Sequence, residues 1–220
     1  MKLIYRLHNL LFPPKCVLCR KLLTDAETDL CHSCRADTPE HPHSRIKLPY
    51  IAQWTALWYY EGTVRSSLLR FKFRNARSYG QIYGRLLAMK LLQEQSEYDL
   101  LTWVPISRRR KWSRGYDQVS LIAQAVGQEL GTPPIAMLKK DRNNPPQSGF
   151  PNAARRRANV LGVYKAIDPQ QCAGKRILLL DDIITTGATA GECARVLLTA
   201  GAKEVHCAAV AAAPHQRKEQ

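Results

Sequence analysis

The chain has 220 residues, 45% of them hydrophobic, which suits a globular protein with one substantial core and a small additional module. No apolar stretch approaches the roughly 20 residues that a membrane-spanning helix needs, so we expect no membrane span. The formal net charge is +15, and the basic excess falls within residues 61–90 and 101–165. This concentration predicts a basic face that attracts phosphate groups of a nucleic acid or of a small substrate; a generally solvated basic surface is the alternative.

The first twelve residues, MKLIYRLHNLLF, carry their apolar side chains at a helical spacing. Arg6 and His8 interrupt the apolar run, and no small-residue cleavage site follows, which argues against a signal peptide. We therefore predict an amphipathic helix that packs on the rest of the protein, and a cytoplasmic location.

Two C-x-x-C pairs follow, in the spacing C-x2-C-x11-C-x2-C: Cys16, Cys19, Cys31 and Cys34. Disulfides would need an oxidising compartment, and a redox C-x-x-C is expected beside a β-α-β unit, whereas these pairs precede the α/β pattern. Four thiolates form the tetrahedral set that structural Zn²⁺ prefers. The spacing therefore predicts a small zinc ribbon within residues 1–48. Further along, Cys193 and Cys207 are expected to be buried small apolar residues.

Beyond residue 49 the apolar pattern alternates between strands and helices. Strands are predicted over 54–60, 100–106, 135–138, 177–182 and 205–211. Helices are predicted from residue 64, over 79–92, over 117–130 with Gly131 as C-cap, and up to about residue 199. This order predicts an α/β fold, a parallel sheet flanked by helices, with the site at the carboxyl ends of the strands. We expect this domain to span residues 49–213, followed by a polar tail over 214–220.

The segment ILLLDDIITTGAT, residues 177–189, carries the most specific motif. Four apolar residues lead into two adjacent carboxylates, Asp181 and Asp182, and a loop of small, hydroxyl-bearing residues follows. Such a loop lets backbone N–H groups at a helix N-terminus point at a phosphate. Paired carboxylates suit the vicinal hydroxyls of a sugar, or a Mg²⁺ ion that keeps most of its water. An ordinary strand-to-helix turn of a doubly wound protein is the alternative.

This segment resembles the 5-phosphoribosyl-1-pyrophosphate (PRPP) motif of type I phosphoribosyltransferases. The resemblance implies that Asp181 and Asp182 hold the ribose 2′- and 3′-hydroxyls and lie at the reacting centre, with Mg²⁺ accompanying PRPP. It also implies that the loop holds the 5′-phosphate through Thr185, Thr186, Gly187, Ala188 and Thr189.

Two arginine-rich loops are expected at the same edge of the sheet. The first follows the strand over 100–106, in the place of a pyrophosphate loop, and contains Arg108, Arg109, Arg110 and Arg114. The second, over 139–163, takes the place of the mobile loop that closes over PRPP and contains Gln147, Arg155 and Arg156. Because the guanidinium fork matches phosphate oxygens, both loops are candidate pyrophosphate- or nucleic-acid-binding segments.

Over the whole chain the pattern resembles the ComF/GntX family of bacterial competence and DNA utilization proteins. The resemblance depends on the four-cysteine module, the R-G-Y-D-Q run at 114–118, a Q-x-G-x5-R-R-x2-N-V-x-G-x-Y pattern over 147–164 and the L-L-D-D-I-x-T-T-G-A-T motif. It implies a type I phosphoribosyltransferase fold with a zinc module. The best-known partner in that setting is a DNA-translocating helicase.

Two functions are consistent with these features. The first is an enzyme in which a nucleophile displaces pyrophosphate from C1 of the ribose while arginines stabilise the departing group. The second is a non-catalytic protein that keeps the PRPP fold as a scaffold or sensor. It would hold single-stranded DNA through the basic loops, with Trp112 and Tyr116 as stacking platforms. The fold alone does not decide between them.

Overall fold

A four-stranded parallel sheet forms the centre of the computed structural model, which describes residues 13–42, 46–141 and 158–214. Numbered in chain order, its strands are β1 (Gln53–Tyr59), β2 (Leu100–Trp103), β5 (Arg176–Ile184) and β6 (Glu204–Ala212). They lie in the order β1-β6-β5-β2, and every neighbouring pair is parallel. The predicted parallel sheet is confirmed, and its strands begin and end close to the predicted limits.

The helices flank this sheet. Their bounds are α1 (His32–Asp37), α2 (Gly62–Phe73), α3 (Tyr79–Gln93), α4 (Arg108–Arg114), α5 (Gln118–Leu130) and α6 (Ala188–Thr199), with a 3-10 turn at Pro169–Cys172. Helix α5 ends at Gly131 in the left-handed conformation, as predicted. Helix α4 was expected to be a loop. It forms because Ser107 caps its first turn by accepting the Arg110 N–H, and Gly115 ends it with a φ of 75°.

Strand β5 lies in the middle of the core. Its residues 177–180 are at most 1% exposed, because side chains on both faces are covered. Leu178 and Leu180 pack in the cluster that includes residues of α2, α3 and α5. Ile177 and Leu179 pack in a second cluster with residues of α6. The sheet is thus covered on both faces, and the continuous apolar run is explained.

A separate antiparallel pair carries the ends of the second arginine-rich loop. The strand predicted at 135–138 starts later, as β3 (Leu138–Lys140), and pairs with β4 (Tyr164–Ala166) outside the parallel sheet. The backbone N–H of Ile135 donates to Leu101 O at 2.8 Å, so the segment runs along the β2 edge before β3 begins. Residues 142–157 lie outside the described residues, and with them Gln147, Arg155 and Arg156. The same holds for the predicted N-terminal helix over residues 1–12 and for residues 215–220.

Helices α3 and α5 pack closely because α3 carries a glycine at their contact. A Cβ atom on Gly84 would lie 2.3 Å from the Cβ of Ala125 and 2.9 Å from the carbonyl oxygen of Ile122. The helix keeps this glycine despite its low helix propensity because no larger residue fits.

Candidate functional site

The adjacent carboxylates Asp181 and Asp182 lie near the carboxyl end of β5 and have different surroundings. Asp181 is only 7% exposed, and burial, followed by the negative charge of Asp182, raises the pKa of its carboxyl to about 8. The backbone N–H of Asp182 donates to Asp181 Oδ1 at 2.8 Å, which partly opposes that rise. Asp182 instead forms an ion pair, with its Oδ2 2.8 Å from Lys72 Nζ on α2. The carboxyl of Asp181 therefore stays largely protonated near neutral pH, whereas Asp182 is paired with the ammonium group of Lys72.

The loop after β5 closes around a small crevice beside Asp181. The crevice is lined by Asp181, Ile183, Ile184, Thr185, Gly187, Ala188, Thr189 and Ala190. Gly187 has a φ of 71° and is the N-cap of α6, so the backbone turns there into the first N–H groups of that helix. A Cβ on Gly187 would lie 2.6 Å from Leu48 Cδ2, so the glycine also allows this close contact. Of the loop residues predicted to hold a phosphate, all except Thr186 line this crevice. The Oγ1 of Thr186 instead accepts the N–H of Ala188 at 3.4 Å.

The arginines of α4 divide into two groups. Arg110 and Arg114 line a cavity of about 480 Å³ together with Lys72, Phe73, Asn75 and Ser113. Arg114 donates to Gln118 Oε1 at 2.8 Å, and its guanidinium lies 5.1 Å from the ring centroid of Phe73. Burial lowers the pKa of Arg114. Arg108 and Arg109 are exposed and do not line the cavity.

The R-G-Y-D-Q run has a structural role that the sequence did not reveal. Tyr116 is 6% exposed and its hydroxyl donates to the carbonyl oxygen of Phe71, so the expectation that it stacks on DNA bases is wrong. Asp117 caps α5 by accepting the N–H groups of Val119 and Ser120, each at 3.1 Å. Burial raises the pKa of Asp117, and these backbone donors partly oppose it. The run thus joins α4 to α5, and its last residue, Gln118, orients its first, Arg114.

Two lysines belong to the site although the sequence did not single them out. Lys72 reaches Asp182 from α2, where it stood in the sequence as one of several basic residues opposite an apolar face. Lys140 ends β3, and burial followed by the charge of Arg110 lowers its pKa to about 8, partly opposed by Cys193 and Asp181. Its Nζ lies 5.3 Å from the ring centroid of Tyr164. The available signal for Lys140 was its basic side chain near the start of the polar loop predicted over 139–163.

The four N-terminal cysteines converge as a metal site requires. Their Sγ atoms all lie within 4.8 Å of one another, and Cys19 Sγ and Cys31 Sγ are 3.6 Å apart. A tetrahedral zinc with Zn–S bonds of about 2.3 Å places its sulfurs roughly 3.8 Å apart, so the donor set fits. Burial would raise the pKa of Cys16, but backbone N–H donors from Cys19, Cys31 and Leu18 outweigh it and lower that pKa to about 7. Such donors favour the thiolate that zinc binds.

The zinc ribbon is held against α3 and against α2, the helix that carries Lys72. Arg85 of α3 forms a two-pronged ion pair with Asp29, with Nη2 2.5 Å from Oδ1 and Nε 3.2 Å from Oδ2. Ser67 of α2 donates to the carbonyl oxygen of Val17, and Arg70 Nη2 donates to those of Val17 and Leu18. The backbone between the first two cysteines is therefore held by α2.

The C-terminal cysteines do not form a reactive site. Cys193 and Cys207 are 0% and 2% exposed, which confirms the prediction that they are buried. Burial raises the pKa of both thiols well above the usual value, so neither is a thiolate near neutral pH. Within the residues that the structure describes, no helix is long and apolar enough to cross a membrane.

Comparisons with known proteins define the class of the chain. Residues 120–220 match the phosphoribosyl transferase domain, and residues 7–45 match the double zinc ribbon domain. Together with the parallel sheet and the four clustered cysteines, these matches establish a phosphoribosyltransferase-like protein with an N-terminal zinc ribbon.

Over most of its length the chain is similar to competence and DNA utilization proteins. The chain is 27% identical to competence protein F of Haemophilus influenzae, over 87% of this chain and 93% of the relative. It is 28% identical to DNA utilization protein YhgH of Escherichia coli O157:H7, over 88% of this chain and 94% of the relative. A solved structure of glutamine PRPP amidotransferase from B. subtilis, complexed with ADP and GMP, is 27% identical with a TM-score of 0.43, covering 60% of this chain and 26% of that one. The chain is a homologue of the competence and DNA utilization proteins, which confirms the resemblance to the ComF/GntX family.

Proposed function

We propose that this protein binds PRPP together with Mg²⁺ at the carboxyl end of β5 and acts in competence or in the use of DNA, as the names of its relatives indicate. The observation that carries the proposal is the crevice shared by Asp181 and the loop residues Thr185, Gly187, Ala188 and Thr189. A carboxyl group and a helix N-terminus in one crevice suit a sugar hydroxyl and a phosphate on the same ligand.

The cations on the neighbouring side suit the pyrophosphate of such a ligand. Lys72, Arg110 and Arg114 line the adjacent cavity, and Arg114 is oriented by Gln118 and Phe73. Mg²⁺ prefers carboxylate oxygens: Asp182 offers them, Asp181 would offer them on losing its proton, and the ion would help to neutralise the pyrophosphate. Displacement of pyrophosphate at C1 of the ribose is the reaction that this arrangement suits, because the arginines would stabilise the leaving group.

Calorimetry with PRPP and Mg²⁺ tests the proposal. We expect heat of binding from the wild type, and none from a variant with Asp181→Ala and Asp182→Ala. Glu97→Gln is a matched control, because Glu97 is an exposed carboxylate that pairs with Arg176, at the first residue of β5 and so at the opposite end of the strand. Absence of heat from the wild type would rule out PRPP as the ligand.

A second candidate function, binding of single-stranded DNA, is favoured by one observation. Trp112 on α4 is 90% exposed, and the neighbouring Arg108, Arg109 and Lys111 are exposed too. An exposed aromatic ring among cations is the usual means of holding single strands. Titration with a single-stranded oligonucleotide should then show affinity that falls steeply with salt and drops for Trp112→Ala. A salt-independent affinity would contradict this candidate. The DNA-translocating helicase partner implied by the resemblance stays a prediction.

A further inference from the structure

Lys72 is brought to the site from outside the segment that matches the phosphoribosyl transferase domain. It lies on α2, whereas the matched segment begins at residue 120. Its Nζ is 2.8 Å from Asp182 Oδ2, and the two side chains are 18% and 13% exposed. An ion pair so far removed from water is held more firmly than a surface pair, so Lys72 has a defined position.

The same lysine also lines the basic cavity. With Arg110 and Arg114 it places three cations around a space of about 480 Å³, a volume within the usual range for ligand pockets. Cations that converge in this way repel one another, and an anion bound among them relieves that repulsion. Lys72 thus has two partners within reach: the carboxylate of Asp182 and an anion in the cavity.

We propose that Lys72 is an anion-binding residue of this site, which pairs with Asp182 until a sugar diol engages that carboxylate and which binds the pyrophosphate group of the ligand. This inference rests on the proposed function, because it assigns one more contact within the same site. A diol that donates to Asp182 competes with Lys72 for the same oxygens, and the released ammonium remains at the wall of the cavity. The two halves of PRPP therefore act on Lys72 in opposite ways. The ribose competes with Lys72 for the carboxylate of Asp182, whereas the pyrophosphate binds the Lys72 ammonium.

Measuring the binding of pyrophosphate and of ribose 5-phosphate separately tests this proposal. Calorimetry is run with Mg²⁺-pyrophosphate, with ribose 5-phosphate and with PRPP on the wild type and on Lys72→Met. We expect the substitution to weaken pyrophosphate binding by roughly tenfold or more, as loss of a charge-assisted contact does. Binding of ribose 5-phosphate should stay equal or become tighter, because its competitor is gone. Arg65→Met is the matched control: it removes one charge from an exposed position on the same helix, away from the cavity, and should change each affinity by less than about twofold.

If Lys72→Met does not fold, a substitution of the other partner of the ion pair, Asp182, tests the same proposal. Asp182→Asn keeps the lysine but frees it from its carboxylate, so pyrophosphate without Mg²⁺ should bind more tightly and ribose 5-phosphate more weakly. If Lys72→Met behaves like Arg65→Met, or weakens both ligands equally, Lys72 does not bind the anion. If the wild type binds pyrophosphate in a Lys72-dependent way but gives no heat with PRPP, the proposed function fails while the assignment of Lys72 stands.

Discussion

Replacing Asp181 by asparagine should change how the stability of the protein depends on pH. The carboxyl of Asp181 has a pKa of about 8 in the folded chain, against about 3.9 for an unperturbed aspartate. Between these two values the folded state holds a proton that the unfolded state has released. The free energy of unfolding of the wild type therefore falls as the pH rises through this interval, and the loss ends above a pH of about 8.

The magnitude follows from the size of that interval. A group protonated only in the folded state changes the free energy of unfolding by about 1.4 kcal/mol per pH unit at most. Asparagine has nearly the same volume, and its amide oxygen can still accept the Asp182 N–H that now lies 2.8 Å from Oδ1. The advantage of Asp181→Asn over the wild type should thus grow by up to about 3 kcal/mol between pH 5.5 and 7.5.

Urea unfolding of the zinc-saturated protein without ligand, at pH 5.5, 6.5, 7.5 and 8.5, measures this difference directly. Glu97→Gln removes an exposed carboxylate and serves as the control, for which the difference from the wild type should stay constant over this range. A constant difference for Asp181→Asn as well would refute the reasoning, because it would mean that burial and the neighbouring charge do not keep this carboxyl protonated.

Three further predictions concern the scaffold. Gly84→Ala should lower the free energy of unfolding by about 1–3 kcal/mol, since the new methyl group meets α5; an unchanged urea midpoint would contradict the close packing. Cys16→Ser should lower the zinc content measured by elemental analysis below one equivalent per chain. Cys172→Ser, which changes a buried cysteine outside the ribbon, should retain the full equivalent. Arg85→Met should cost about 1–2 kcal/mol in urea unfolding without loss of zinc, because it breaks the ion pair to Asp29; loss of zinc would show that this pair also shapes the metal site.

The parts of the fold that the sequence revealed are those with strong local signals. A run of four apolar residues before two carboxylates predicts a buried parallel strand, and β5 has that place in the sheet. The glycine at 131 predicts the end of α5 because few other residues adopt its left-handed conformation. The cysteine spacing predicts a metal site because four thiolates have few other uses in one small module.

Features that depend on distant residues were missed. Nothing near Lys72 in the sequence points to Asp182, since the two residues meet only after α2 packs against the sheet. The sequence predicts that Tyr116 is an exposed aromatic residue of a basic loop, but its hydroxyl donates to the carbonyl oxygen of Phe71 on α2. The sequence predicts a loop where α4 lies because the basic side chains there carry no apolar periodicity; the serine cap and the final glycine are the weaker signal.

Helix α2 connects the zinc ribbon to the carboxylate pair. Ser67 and Arg70 hold backbone carbonyls of the first cysteine knuckle, Phe71 accepts the hydroxyl of Tyr116, and Lys72 reaches Asp182. A module as small as the ribbon has little core of its own and depends on its metal for order. Because these contacts come from one helix, the ribbon packs against the same element that places Lys72 beside Asp182. The ribbon is therefore part of the structure that fixes the geometry of the site.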